Sequence, residues 1–270
     1  RIRIMKIERH FLRKEAIDGF VPSLTLYLLD KVENGPLRPM VIIFPGGAYI
    51  NKAENWEGER VAIEYNRAGF NAAVVDYSVS PIHHPQPLLD AMAAIRFVRE
   101  NAISFGSDPN KTIVLGFSAG GHLAASLSTL WYKYGDGDRI YRPDGAILSY
   151  PVITTGEFAH KESIVNLTGK KDEESGEWRE LSLENQVDGN TPPTFLWHTL
   201  NDTIVPVENT LLYVSALRRH KIPFELHIFP EGDHGLSLCT EELLRTKSIF
   251  PRKYDWIGLS VDWITQLFKL

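Results

Sequence analysis

Cysteine is almost missing from this chain: 270 residues carry one, Cys239. A lone thiol closes no internal bridge, so a disulfide framework is excluded, and a Cys-rich metal centre with it. Long apolar runs are missing too. Uninterrupted stretches stop at about five residues, as from Met40 to Phe44, far short of the roughly 18 that a membrane helix needs. Charge of one sign never accumulates. There are 29 Lys and Arg against 34 Asp and Glu, a net of −5, so the basic footprint of a nucleic-acid binder is absent. The opening RIRIMKIERH has basic residues but no apolar core or small-residue cleavage site behind them, so no secretory signal is legible and a reducing cytoplasm is the expected location. Repeats and Ser/Gly linkers are also lacking, and residues 1–270 read as a single domain.

What is present is ordinary globular composition. Hydrophobic residues make up 43% and charged residues 23%, with 20 Gly and 16 Pro, which excludes collagen-like and disordered classes. Residues 23–29, SLTLYLL, alternate as a half-buried strand does, with the opening IRIMKI as its expected antiparallel neighbour. Then come short β-rich runs at 41–44, 72–75, 112–115, 146–150, 194–197 and 224–229. Helix-length stretches at about 54–67, 87–102, 119–133, 207–220 and 258–269 follow most of them. Strand alternating with helix predicts an α/β fold, a mostly parallel sheet covered on both faces. Ligands in such sheets bind at the carboxyl ends of the strands. The charged stretch 153–193 breaks the alternation and reads as a small insertion over the site, a polar cover because Lys161, Glu162, Lys170, Lys171, Asp172, Glu173 and Glu174 would be costly to lay against acyl chains.

Gly116-Phe117-Ser118-Ala119-Gly120 is a G-x-S-x-G pattern between a β-branched run and an Ala- and Leu-rich helix-forming run, so Ser118 falls on a strand-to-helix turn. A serine hydroxyl needs a base to take its proton, and the base needs an orienting group. Of nine histidines, His234 lies in a Gly-flanked loop just past the strand FELHIF. His122 reads as a brace of the nucleophile turn, His198 and His227 as strand residues, and His160 as one of several peripheral ones. Asp202, just past the strand TFLW and before Pro206, is the expected acid; Asp233 and Glu208 are less well placed. For an oxyanion, the Pro45-Gly46-Gly47-Ala48-Tyr49 loop after the strand MVIIF offers bare backbone, and Gly46, Gly47 and Ala119 are the expected amide donors. Tyr49 and Trp178 are candidate walls of the substrate pocket. No HExxH motif or cysteine cluster suggests a metal, and neither metal nor cofactor is expected.

With these residues in place, the chain resembles the α/β-hydrolase fold serine esterases, specifically the hormone-sensitive-lipase-like carboxylesterases and the acetylxylan and feruloyl esterase-like enzymes. The likeness runs from about Val41 to Gly235: PGGAY is similar to their oxyanion loop, GFSAGGHLA to their nucleophile turn, LNDTIVPVEN and GDHGLSL to their acid and histidine loops. Two departures favour the carbohydrate-esterase side: Pro45 and Ala48 replace the outer residues of the usual His-Gly-Gly-Gly, and Phe117 replaces the Asp before the nucleophile. The resemblance implies hydrolysis of short-chain acyl esters, including acetylated sugars, by a triad of Ser118, His234 and Asp202. The expected partner is a small-molecule ester such as an acylated carbohydrate, with no nucleic acid and no membrane, and a homo-oligomer remains open. The rival readings are an arylformamidase of the same fold and a non-catalytic ligand-binding homologue.

Overall fold

The period-2 segments pair into one sheet. A computed structural model describes residues 5–31, 35–171, 175–246 and 254–270. Its strands are β1 (Lys6–Phe11), β2 (Ser23–Leu28), β3 (Arg38–Phe44), β4 (Asn71–Asp76), β5 (Ser107–Phe117), β6 (Gly145–Ser149), β7 (Thr194–Thr199) and β8 (Phe224–Phe229). They lie in the order β1-β2-β4-β3-β5-β6-β7-β8. β1 and β2 are antiparallel to their neighbours, and every pairing from β4 to β8 is parallel. The expected neighbour of β2 is thus present, starting at Lys6; residues 1–4 lie outside the described residues.

The helices are α1 (Glu59–Arg67), α2 (Gln86–Phe105), α3 (Ser118–Tyr134), α4 (Lys161–Thr168), α5 (Gly176–Glu180), α6 (Glu208–Arg219), α7 (Glu241–Thr246) and α8 (Trp256–Phe268). The expected helix 54–67 is divided: Glu54–Gly58 is one wide π turn, and the α-helix starts after it. That turn buries Glu57 and Gly58, in keeping with the habit of π turns of sitting at functional sites. Alternate residues of β3 serve opposite faces. Met40, Ile42 and Phe44 pack with Leu123, Leu127 and Leu217 of α3 and α6, while Val41 and Ile43 pack with Tyr65 of α1 and Trp263 of α8. α1 therefore covers one face and α3 the other. β3 and β5 are adjacent strands whose following helices diverge, which opens a crevice at their carboxyl ends. No helix among the described residues is long and apolar enough to cross a membrane.

The described residues of 153–193 form α4, α5 and a 3-10 turn, Leu183–Asn185. The segment is tied down at several points. The Leu167 carbonyl accepts from the His84 amide at 2.7 Å, Asn166 Nδ2 donates to the Ala48 carbonyl at 2.9 Å, and Trp178 is 1% exposed.

Candidate active site

β5 ends at Phe117 in extended backbone, and α3 begins at the next residue, Ser118, with φ at +52°. For a residue with a side chain that left-handed conformation costs on the order of 1–3 kcal/mol, a strain typical of functional positions. It aims the hydroxyl out of the strand-helix corner. The corner is tight enough to demand glycine: a Cβ on Gly120 would stand 2.1 Å from the Phe44 carbonyl oxygen and 2.5 Å from that of Pro45.

The structure brings the three residues expected to act together into one chain of hydrogen bonds. Ser118 Oγ lies 2.8 Å from His234 Nε2, and His234 Nδ1 lies 2.7 Å from Asp202 Oδ2. Asp202 occupies an Asx turn after β7, where its Oδ1 accepts from the amides of Ile204 and Val205, both at 2.9 Å. Burial works to raise its pKa. The hydrogen bonds from His198 and His234, the charge of His234 and the Val205 amide outweigh burial and hold the carboxyl well below the usual range.

His198 is more than a strand residue. Its Nε2 approaches the Val205 carbonyl at 2.9 Å and Asp202 Oδ2 at 3.3 Å, while Nδ1 faces Thr210 Oγ1 at 2.8 Å. Because the carbonyl can only accept, Nε2 carries a hydrogen, and Asp202 Oδ2 takes two imidazole donors. In sequence nothing but the four-residue spacing to Asp202 hints at this. His160, at the start of α4, is half-buried rather than peripheral. Burial first, then the charge of His234, lowers its pKa, and the nearby Asp202 acts the other way; its Nδ1 meets Ser163 Oγ at 2.8 Å.

The 45–49 loop corrects one expectation. The Gly46 amide donates to Glu57 Oε2 at 2.7 Å, so it is already committed and cannot serve an oxyanion. Gly47 has no acceptor for its amide among the described residues, and Ala119 lies in the first turn of α3, where an N–H has no acceptor inside the helix. Gly47 has φ at +134°, and a Cβ there would stand 2.3 Å from the Asn51 carbonyl oxygen. The work of the absent histidine at position 45 is divided: Tyr77 donates its hydroxyl to the Pro45 carbonyl, Glu57 holds Gly46, and Asn166 holds Ala48.

Tyr49 and Trp178 are not open walls. Tyr49 is 1% exposed and its hydroxyl meets His122 Nδ1 at 3.0 Å. Burial pushes the His122 pKa down to about 4, and its Nε2 donates to the Leu181 carbonyl at 3.0 Å. His122 thus braces the turn, as its position suggested, by joining three segments. Trp178 packs with Val152, Ile164 and Val205, beside the Val152 amide that donates to the Ser118 carbonyl at 3.0 Å. Lys161, Glu162, Lys170 and Lys171, expected to make 153–193 a polar cover, are exposed, while Ile164 and Trp178 turn inward beside the buried polar Thr154, Ser163, Thr168 and Ser182. Periodicity over so short a helix did not reveal which side faces in. Asp172, Glu173 and Glu174, also expected there, lie outside the described residues.

No group of three His, Cys, Asp or Glu able to hold a metal occurs among the described residues. Comparison with known proteins places this geometry in context. The prolyl oligopeptidase family model matches residues 85–250, and the BD-FAE model matches residues 24–136. The chain is 42% identical to the endo-1,4-beta-xylanase B of Butyrivibrio fibrisolvens over 84% of its own length and 36% of that protein's. It is 33% identical to an acetylxylan esterase of Xylanibacter ruminicola over 76% of its length and 42% of that protein's. It therefore spans less than half of these curated relatives. The crystal structure of an acetyl ester-xyloside bifunctional hydrolase from Caldicellulosiruptor lactoaceticus superposes with a TM-score of 0.82 at 40% identity, covering 96% of each chain.

Proposed function

Since the chain belongs to the α/β-hydrolase serine esterases, we propose that it hydrolyses short-chain carboxylic esters, with acetylated xylo-oligosaccharides as the favoured substrate class. The observation that carries this reading is the unbroken relay Ser118–His234–Asp202, with spacings of 2.8 and 2.7 Å, at the carboxyl ends of parallel strands. His234 Nε2 accepts the Ser118 proton as Oγ adds to the ester carbonyl. The tetrahedral oxyanion is held by the amides of Gly47 and Ala119. Collapse expels the alcohol, which takes the proton from His234. Water repeats the sequence in reverse roles, releasing the acid and restoring Ser118. Asp202 accepts from Nδ1 throughout, fixing the tautomer and stabilising the imidazolium.

The acetyl preference is supported by the acetyl ester and acetylxylan names of similar proteins and by the packed Val152, Ile164, Trp178 and Val205 beside Ser118, buried to 0–1% exposure. Specificity constants for 4-nitrophenyl esters of two to twelve carbons, alongside acetylated xylo-oligosaccharides and N-formylkynurenine, test it. Acetyl to butyryl esters should lead, with acetate released from the oligosaccharides. A maximum at eight or more carbons means a lipase, and preferential turnover of the formamide means an amidase. A fluorophosphonate probe that fails to label Ser118 would favour a binding protein.

A further inference from the structure

We propose that Glu57 is a positioning residue that sets the oxyanion loop and the histidine loop together, a role that rests on the esterase reading above. Glu57 is 5% exposed, a buried carboxylate that the hydrolytic steps themselves do not use. Its Oε2 accepts from the Gly46 amide at 2.7 Å, and its Oε1 accepts from the Tyr150 hydroxyl at 2.7 Å. The Tyr150 oxygen in turn accepts from the Ser237 amide at 2.8 Å, three residues beyond His234. The Tyr150 ring stands edge-on to the His234 imidazole, centroids 5.1 Å apart and planes at 72°. Burial, then the charge of Glu57, push the Tyr150 phenol well above its usual pKa, so it stays a donor to the carboxylate.

Two catalytic loops that come from opposite ends of the chain thus hang on one side chain. Gly46 is close to the nucleophile: a Cβ placed on it would stand 3.0 Å from Ser118 Cβ and 2.8 Å from Glu57 Oε2. Fixing its N–H inward, toward Glu57, sets the peptide planes that follow and directs the Gly47 amide to the place where a carbonyl oxygen gains charge. Through Tyr150 the same carboxylate braces the far side of the His234 ring. A carboxylate suits the task because both donors, an amide and a phenol, point at it, and each of its oxygens takes one.

The placement matters most when charge develops in the transition state, so its loss should appear in kcat rather than KM. The test is steady-state kinetics of Glu57→Ala, Glu57→Gln and Tyr150→Phe with 4-nitrophenyl acetate, with circular dichroism and thermal melting to establish folding. Misplacing a reacting group by an ångström costs about a hundredfold, so Glu57→Ala should lose about 10- to 100-fold in kcat with KM within about twofold. Glutamine can still accept from Gly46 and donate to the Tyr150 oxygen, so Glu57→Gln should recover to within about fivefold of wild type. Tyr150→Phe keeps the ring but severs the link, and should lose about fivefold or more in kcat. If folded Glu57→Ala retains kcat to within about threefold, shifts KM instead, or is no worse than Glu57→Gln, the role is rejected. Should Glu57→Ala fail to fold, unchanged kcat in Tyr150→Phe rejects it alone. The esterase reading fails separately, when wild type itself neither turns over esters nor reacts with a fluorophosphonate.

Discussion

Replacing Asp202 by Asn is a sharp perturbation because the surroundings dictate which way the new amide must face. Oδ1 accepts from two backbone amides at 2.9 Å, so the asparagine oxygen has to take that position; an NH2 there would oppose two N–H groups. The NH2 is then forced into the place of Oδ2, where it meets His234 Nδ1 at about the present 2.7 Å and His198 Nε2 at about 3.3 Å. His234 can accept from it only by moving its proton to Nε2, which turns a donor toward Ser118 and removes the base. His198 cannot follow without cost, since its Nε2 hydrogen also serves the Val205 carbonyl at 2.9 Å. A mis-set imidazole tautomer in a triad costs about ten-thousandfold in kcat, roughly 5 kcal/mol in barrier height. The fold should survive, since both amide bonds to the side chain remain. Single-turnover and steady-state rates with 4-nitrophenyl acetate, on protein with native circular dichroism, measure the loss. A folded Asp202→Asn variant slowed less than about thirtyfold would refute the reasoning and transfer the orienting role elsewhere.

Gly120→Ala should fold poorly or melt lower, with a loss of about 1–3 kcal/mol or more in urea unfolding, because its Cβ would lie 2.1 Å from backbone oxygen; wild-type stability would mean that the corner gives way easily. Acid should weaken the protein through Asp202. Its folded pKa is depressed, so its contribution is fully present above the unfolded value of about 3.9 and is lost as pH falls from there toward the folded value. The stability gap between wild type and Asp202→Asn should therefore narrow below about pH 4, and a gap that is constant or widens there in urea titrations would count against it. Ser118→Ala should fold as wild type and lose on the order of a millionfold in ester turnover; a tenth of the wild-type rate in purified variant would move the nucleophile.

Where one local rule decides the outcome, the sequence was legible. FELHIF at 224–229 is β8 residue for residue, and the small residues around Ser118 mark a corner that backbone contact demands. Asp202 and His234 could be found because each follows a strand, and strand ends in a parallel sheet share one edge. Legibility fails where a side chain meets a partner remote in sequence. Glu57 lies in ENWEG, at the start of the helix-length stretch 54–67, where nothing in the sequence marks one carboxylate as buried; the π turn swings it inward to Gly46. Tyr49 and Trp178, which fit a pocket wall and ordinary packing equally well by sequence, and His160 are opaque for the same reason, since exposure and orientation in loops and one- or two-turn helices depend on the three-dimensional neighbours. His198, a strand residue whose usual job is packing or a core hydrogen bond, is buried and hydrogen-bonded as that reading has it, but the strand position does not say that one of its partners is the acid.

The ties of 153–193 to the rest of the molecule have a thermodynamic corollary. Asn166 ends on the Ala48 carbonyl, Leu181 on His122, and Trp178 in the cluster beside Ser118. Lifting this segment would uncap the Ala48 carbonyl and expose the apolar cluster beside Ser118, so the segment and the site belong to one cooperative unit. A partly opened species with its triad still assembled has little to stabilise it. Heat should thus silence the site at the same temperature at which the tertiary packing melts.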